Sequence, residues 1–170
     1  MRLTHWTDYS LRVLMYCAQC EAQQSVATIQ AIADQHGISK SHLTKIVMTL
    51  AADGYLQTSR GRGGGIRLGR PAAQIVLGEV VRKTETDFQM VECFGEGQSH
   101  CALLPACHLK QVLAQALEAF FASLDAITLA DLMNTTQAEM ATLQTLTFMP
   151  NAAQAVKAVK TAKSRKATAA

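Results

Sequence analysis

Two short amphipathic segments, residues 28–36 (TIQAIADQH) and 40–52 (KSHLTKIVMTLAA), stand on either side of Gly37, and this arrangement constrains the fold most. In the first, Ile29, Ile32 and Ala33 share one face of a helix; in the second, Leu43, Ile46, Val47 and Leu50 do the same. Gly37 closes the first helix cheaply, because glycine accepts the positive φ of a helix end, and Ser39 caps the second. Gly54 stops that helix, and the chain continues as GYLQTSRGRGGGIRLGRP. Two strand-like pieces, Tyr55–Thr58 and Ile66–Leu68, flank a glycine-rich tip bearing arginines. Helix, turn, helix and basic hairpin, in that order, predict a winged helix-turn-helix inside a mostly α fold.

The flanking segments extend this frame. A helix is expected to start near Thr7 or a few residues earlier, with Leu11, Leu14, Met15 and Ala18 on one face, and to break at the polar stretch 21–25. Residues 74–83 (QIVLGEVVRK) predict another helix. From Leu109 an apolar stripe runs through Val112, Leu113, Ala116, Leu117, Phe120, Leu124 and Ile127, about five turns at 3.6 residues each. The expected organisation is a DNA-binding domain over 1–83, a cysteine-rich loop over 84–108, a long helix over 109–135 and a C-terminal extension over 136–170. The Ala/Lys-rich stretch from about 152 carries little apolar payload and is expected to be disordered.

Charge is distributed unevenly along the 170 residues. Residues 39–70 hold Lys40, Lys45, Arg60, Arg62, Arg67 and Arg70 against Asp53 alone, a local +5. Residues 84–151 hold eight acids against Lys110, a local −7, and the last 19 residues add five positive charges. Such a chain can offer one face to a polyanion and keep another for a different task. No apolar run reaches the roughly 20 residues of a membrane span. The start, MRLTHWTDYSLRVL, is polar and charged and does not read as a secretory signal, so a cytoplasmic protein is expected. The glycines of the hairpin lack a GK[ST] ending, which argues against a nucleotide-binding P-loop.

A helix that reads the major groove needs short or polar side chains on its first turns. Ser39, Lys40, Ser41, His42 and Lys45 supply them, and Thr28 heads the helix before. In the wing tip, Arg60 or Arg62 suits a narrow minor groove, and glycines such as Gly63 allow close approach to phosphate. Double-stranded DNA is therefore the expected partner.

Cys93, Cys101 and Cys107 lie in a stretch rich in loop formers, between two helical segments. Thiolates are soft ligands suited to iron–sulfur clusters and zinc, and in a reducing compartment clustered thiols more often bind metal than pair as disulfides. The spacing differs from the paired C-x2-C of zinc ribbons, and three cysteines are one ligand short of a closed site. His100 and His108 flank the ligand cysteines as candidates to support them. Cys17 and Cys20 form a CxxC, but inside an apolar-periodic helix rather than at a helix start after a strand, so they read as core residues and not as a thiol oxidoreductase centre.

The start MRLTxxTDYSLRVL, the helix-turn-helix through Tyr55, the RGRGGG wing and the cysteine loop ending in PAC together resemble the winged-helix iron–sulfur repressors, a family that includes IscR and NsrR. The similarity covers roughly residues 1–135 and is greatest to the nitric-oxide-sensitive NsrR branch. The resemblance implies a homodimer joined through the helix after the cysteines, with Cys93, Cys101 and Cys107 as ligands of a 4Fe–4S cluster, or secondly a 2Fe–2S cluster. It implies a non-enzymatic repressor that responds to nitric oxide and acts on nitrosative-stress genes. The alternative within the family is a sensor of iron–sulfur or redox status. The IscR-like pattern places a ligand histidine three residues past the last cysteine, where this chain has Lys110. The resemblance instead offers Asp8, donated by the partner subunit, as the fourth ligand; Asp8 also suits a first-turn acid on a helix dipole.

Overall fold

The computed structural model describes residues 2–95, 101 and 107–134. Helix α1 (His5–Ala22) opens the chain, followed by α2 (Ile29–His36) and α3 (Lys40–Ala52). The strands β1 (Leu56–Ser59) and β2 (Gly65–Leu68) form one antiparallel hairpin, with Leu56 opposite Leu68 and Ser59 opposite Gly65. Helix α4 (Leu77–Thr84) follows, then α5 (His108–Asp125) and the short α6 (Leu129–Met133). This is a winged helix with a helical arm, in the mostly α class that the sequence predicts.

Local chemistry sets the boundaries. Thr4, Thr28 and Ser39 stand at the N-caps of α1, α2 and α3, where each side-chain oxygen accepts a backbone N–H that the helix cannot use. Gly37 closes α2 in the left-handed region at φ 65. The periodic faces then meet in one core. Val13 and Leu14 of α1, Ile32 of α2, Leu43, Ile46 and Leu50 of α3, and Ile75 and Val80 beside them are all at most 1% exposed. The expected helix over 74–83 begins later, at Leu77, because Ala72–Gln74 turns as a short 3-10 helix after Pro71.

The apolar stripe from Leu109 does not make the one long helix expected over 109–135. Helix α5 ends at Asp125, and α6 starts afresh with a capping box between Thr128 and Asp131. The break is held by the backbone: Leu77 N–H donates to Ile127 O at 3.0 Å, and Leu129 N–H donates to Ile75 O at 2.8 Å. Leu129 thereby enters the core at 0% exposure, while no residue of α5 is fully buried. Arg82 of α4 fixes the far end of α5, reaching Asp125 through two hydrogen bonds of 2.6 and 2.7 Å and lying 4.2 Å over the Phe121 ring. No helix among the described residues is long and apolar enough to cross a membrane. The extension over 136–170, with its basic tail, lies outside the described residues.

Candidate nucleic-acid interface and cysteine site

The buried stripe of α3 leaves its other face to solvent. Ser39, Lys40, Ser41, His42 and Lys45 are all exposed, as is Thr28 at the head of α2. The hydroxyls are partly committed: Thr28 Oγ1 accepts from Ala31 N at 3.1 Å, and Ser39 Oγ lies 3.3 Å from Ser41 Oγ. Sequence reasoning missed two neighbours on the same face, Thr44 and Met48. Met48 is 67% exposed, and with Ser41, Thr44 and Lys45 it completes an i, i+3, i+4, i+7 stripe. The signal was there in the periodicity, because the polar face of a helix repeats as regularly as its apolar face. His42 has a second neighbourhood. With Ile46 and with His5, Trp6 and Tyr9 of α1 it lines a cavity of about 260 Å³.

The wing is anchored at its root and open at its tip. Ile66 N–H donates to Ala27 O at 2.8 Å, which ties β2 to the residue just before the N-cap of α2. At the tip, Gly61 and Gly63 have φ of 94 and 81, and Gly64 N–H donates to Gly61 O at 3.0 Å. A Cβ on Gly64 would stand 2.5 Å from Ser59 O, so this tight turn admits no side chain there. Arg60 and Arg62 project exposed from the turn. Arg70, at the base of the hairpin, lies 4.5 Å over the ring of buried Tyr55 and pairs with Glu79 at 3.2 Å. Reading helix and wing are thus parts of one packed unit that presents cations on both.

The three loop cysteines border one cavity. Cys93 sits in the turn Glu92–Phe94, and Cys107 holds the N-cap position of α5, a helix end that favours negative charge. Cys93, Cys101 and Cys107 line one cavity of about 220 Å³ together with Val91, Leu109 and Leu113, with Glu92 and Lys110 also on its wall. A wider cavity of about 780 Å³ adjoins it and shares Cys93 and Lys110. Among the described residues no three His, Cys, Asp or Glu side chains are close enough to hold a single metal ion. His108 is exposed and is not among the lining residues, and His100 lies outside the described residues.

Asp8 does not join the cysteines of its own chain. It is held by Arg12, whose Nε and second guanidinium nitrogen donate to the two carboxylate oxygens at 2.9 Å each. Thr4, the cap of α1, donates from its backbone N–H to Glu85 at 2.7 Å, which ties the start of α1 to the segment that leads to Cys93. Cys17 and Cys20 face the core at 1% and 9% exposure. Burial, with Cys20 beside it, pushes the Cys17 thiol up to about 12, so it is not a nucleophile at neutral pH.

Known proteins fit this geometry. The profile of the Rrf2 family, described as "Iron-dependent Transcriptional regulator", matches residues 3–135. The HTH-type transcriptional regulator NsrR of Bacillus subtilis is 49% identical over 144 residues, covering 85% of this chain and 98% of that protein. The NsrR of Geobacillus kaustophilus is 47% identical, covering 78% of this chain and 90% of its own length. Among solved structures, T. potens IscR aligns with a TM-score of 0.63 at 23% identity, covering 83% of this chain and 90% of that one. The oxidized form of Staphylococcus aureus CymR aligns at 0.65 with 26% identity, covering 81% and 99% respectively. The chain belongs to the Rrf2 family of iron-dependent transcriptional regulators and is a winged-helix DNA-binding regulator rather than an enzyme.

Proposed function

We propose that this chain is a homodimeric, cytoplasmic repressor whose operator binding depends on an iron–sulfur cluster held by Cys93, Cys101 and Cys107, and that nitric oxide is its signal. The observation that carries the reading is that those three cysteines line one cavity of about 220 Å³. Soft thiolates spread around such a space, and not gathered for a single ion, fit a multi-atom inorganic cluster better than zinc. A 4Fe–4S cluster is our assignment, with 2Fe–2S the form that spectroscopy would distinguish from it. The regulators named NsrR at 47–49% identity support nitric oxide as the signal and nitrosative-stress genes as the targets.

The division of labour follows the chain. Residues 1–83 read DNA, with Thr28, Ser39, Lys40, Ser41, His42 and Lys45 at the major groove and Arg60, Arg62 and Gly63 at the wing. Residues 84–108 hold the cluster. Helix α5, within the 109–135 segment, joins two copies: Leu109 and Val112 are 62% and 45% exposed on a helix with no fully buried residue. Pairing there would set two α3 helices at half-sites about 34 Å apart or a multiple of that.

When bound, the cluster supplies iron atoms that react with nitric oxide. The chain's part is to make that event felt at α3. Asp8 of the partner subunit would complete the ligand set in exchange for its pairing with Arg12, and without the cluster the start of α1 would lose that tie. That start borders the cavity shared with His42, and its cap is bonded to Glu85. A coupling of only ~3 kcal/mol between cluster and operator changes affinity more than a hundredfold.

The test is anaerobic purification of the full chain and of the single variants Cys93→Ser, Cys101→Ser and Cys107→Ser. The reading expects a coloured wild type with iron and sulfide, and loss of both in each variant. A wild type free of iron, still binding DNA, would leave the winged helix standing and remove the cluster.

A further inference from the structure

We infer that Lys110 is the counter-cation of the cluster site, a residue that sets the charge balance and hence the reduction potential of whatever the three thiols hold. The inference rests on the cluster reading above. Lys110 occupies the first turn of α5, three residues past Cys107, where the helix dipole disfavours a cation. It is half-buried, and it lines both the cavity of the three cysteines and the wider one beside it. Glu92 faces the first cavity, and Asp87 and Glu118 face the second. Yet none of the ion pairs among the described residues involves Lys110.

A partly buried cation at the wrong end of a helix calls for an anion in the space it faces. Three thiolates around a dicationic iron–sulfur core, of either two or four irons, make such an anion, and a carboxylate as fourth ligand makes it more negative. Reduction adds one electron, taken from the reductant used, and raises the negative charge again. A fixed ammonium at the cavity wall therefore favours the reduced form over the oxidised one. Net charge beside a cluster is one of the levers that set its potential. Lys110 thus does not ligate iron; it supplies a charge beside the ligands.

The experiment compares the wild type, Lys110→Met, Lys110→Gln and Lys110→Arg, each purified as the full chain without oxygen. Iron content is measured first, then the midpoint potential by stepwise reduction with dithionite under mediators. Lys110→Met and Lys110→Gln should lower the reduced-to-oxidised ratio at a fixed potential about tenfold, about 59 mV for a one-electron couple. Lys110→Arg should stay close to the wild type. Loss of iron in the neutral variants but not in Lys110→Arg would support the same charge requirement. Unchanged potentials in both neutral variants would overturn the proposal. So would an equal shift, or equal iron loss, in Lys110→Arg, since that would point to shape and not charge. A wild type without iron would instead refute the cluster reading on which the proposal stands.

Discussion

Gly65→Ala is the substitution that most sharply separates a wing held by packing from one held only by its own turn. Gly65 opens β2, opposite Ser59, with φ 157. A Cβ placed there would stand 2.5 Å from Ala27 O and 2.5 Å from Val26 Cγ1. The carbonyl cannot retreat without losing the 2.8 Å bond from Ile66 N–H, and Ala27 is 0% exposed. Losing that bond leaves a buried acceptor unsatisfied, at ~1–3 kcal/mol, and an unfavourable φ adds ~1–3 kcal/mol. The expected destabilisation is roughly 2–6 kcal/mol, read by chemical or thermal denaturation. Gly61→Ala is the control: its φ is 94, but nothing lies within 4 Å of the added carbon, so only the backbone strain of ~1–3 kcal/mol remains. Operator affinity should also fall in Gly65→Ala, because the wing root shares its bond with the lead into α2. If Gly65→Ala unfolds no more easily than Gly61→Ala, the close approach to Ala27 is not what positions the wing.

Other outcomes follow from the same geometry. Arg60→Ala with Arg62→Ala should reduce the salt dependence of operator binding, lowering the log–log slope by about 0.9 for each phosphate that is no longer neutralised; an unchanged slope would place the wing off the DNA. Cys17, held at about 12 when folded against its ordinary 9.0, should make the fold lose stability as pH rises through that window, since only the unfolded thiol ionises there. The loss is about 1.4 kcal/mol per pH unit, and Cys17→Ala should remove that share of the slope in denaturant titrations at pH 7 and pH 10. Val112→Glu, which charges the exposed face of α5 without touching the wall of the cysteine cavity, should convert the proposed dimer to monomers in sedimentation; a variant that remains a dimer would move the interface elsewhere.

The reading unit was legible in the sequence because its local and tertiary signals agree. Thr28, Gly37 and Ser39 mark the boundaries of α2 and α3 in their own residue chemistry, and the stripe from Leu43 to Leu50 has only one core to face. The arm was less legible. The apolar spacing from Leu109 to Ile127 runs straight through the break after Asp125, because periodicity cannot register that Leu77 N–H will take Ile127 O. Thr128 and Asp131, three apart, were the local sign of a new helix start. The start of α4 slipped for a similar reason: Pro71 and the following turn consume residues whose pattern alone looks helical. At the cysteine site the sequence placed three thiols in one loop segment, but only the fold shows that they share a cavity with Glu92 and Lys110.

The proposed function requires that the cysteine cavity govern DNA binding by α3. The most direct measurement is an anaerobic titration of the full-length protein with nitric oxide, following visible absorbance and operator-DNA mobility in the same samples. The chromophore and the DNA complex should disappear together, over the same additions of nitric oxide. A chromophore bleached by nitric oxide while the operator stays bound would contradict the proposed function, and so would a coloured protein indifferent to the gas.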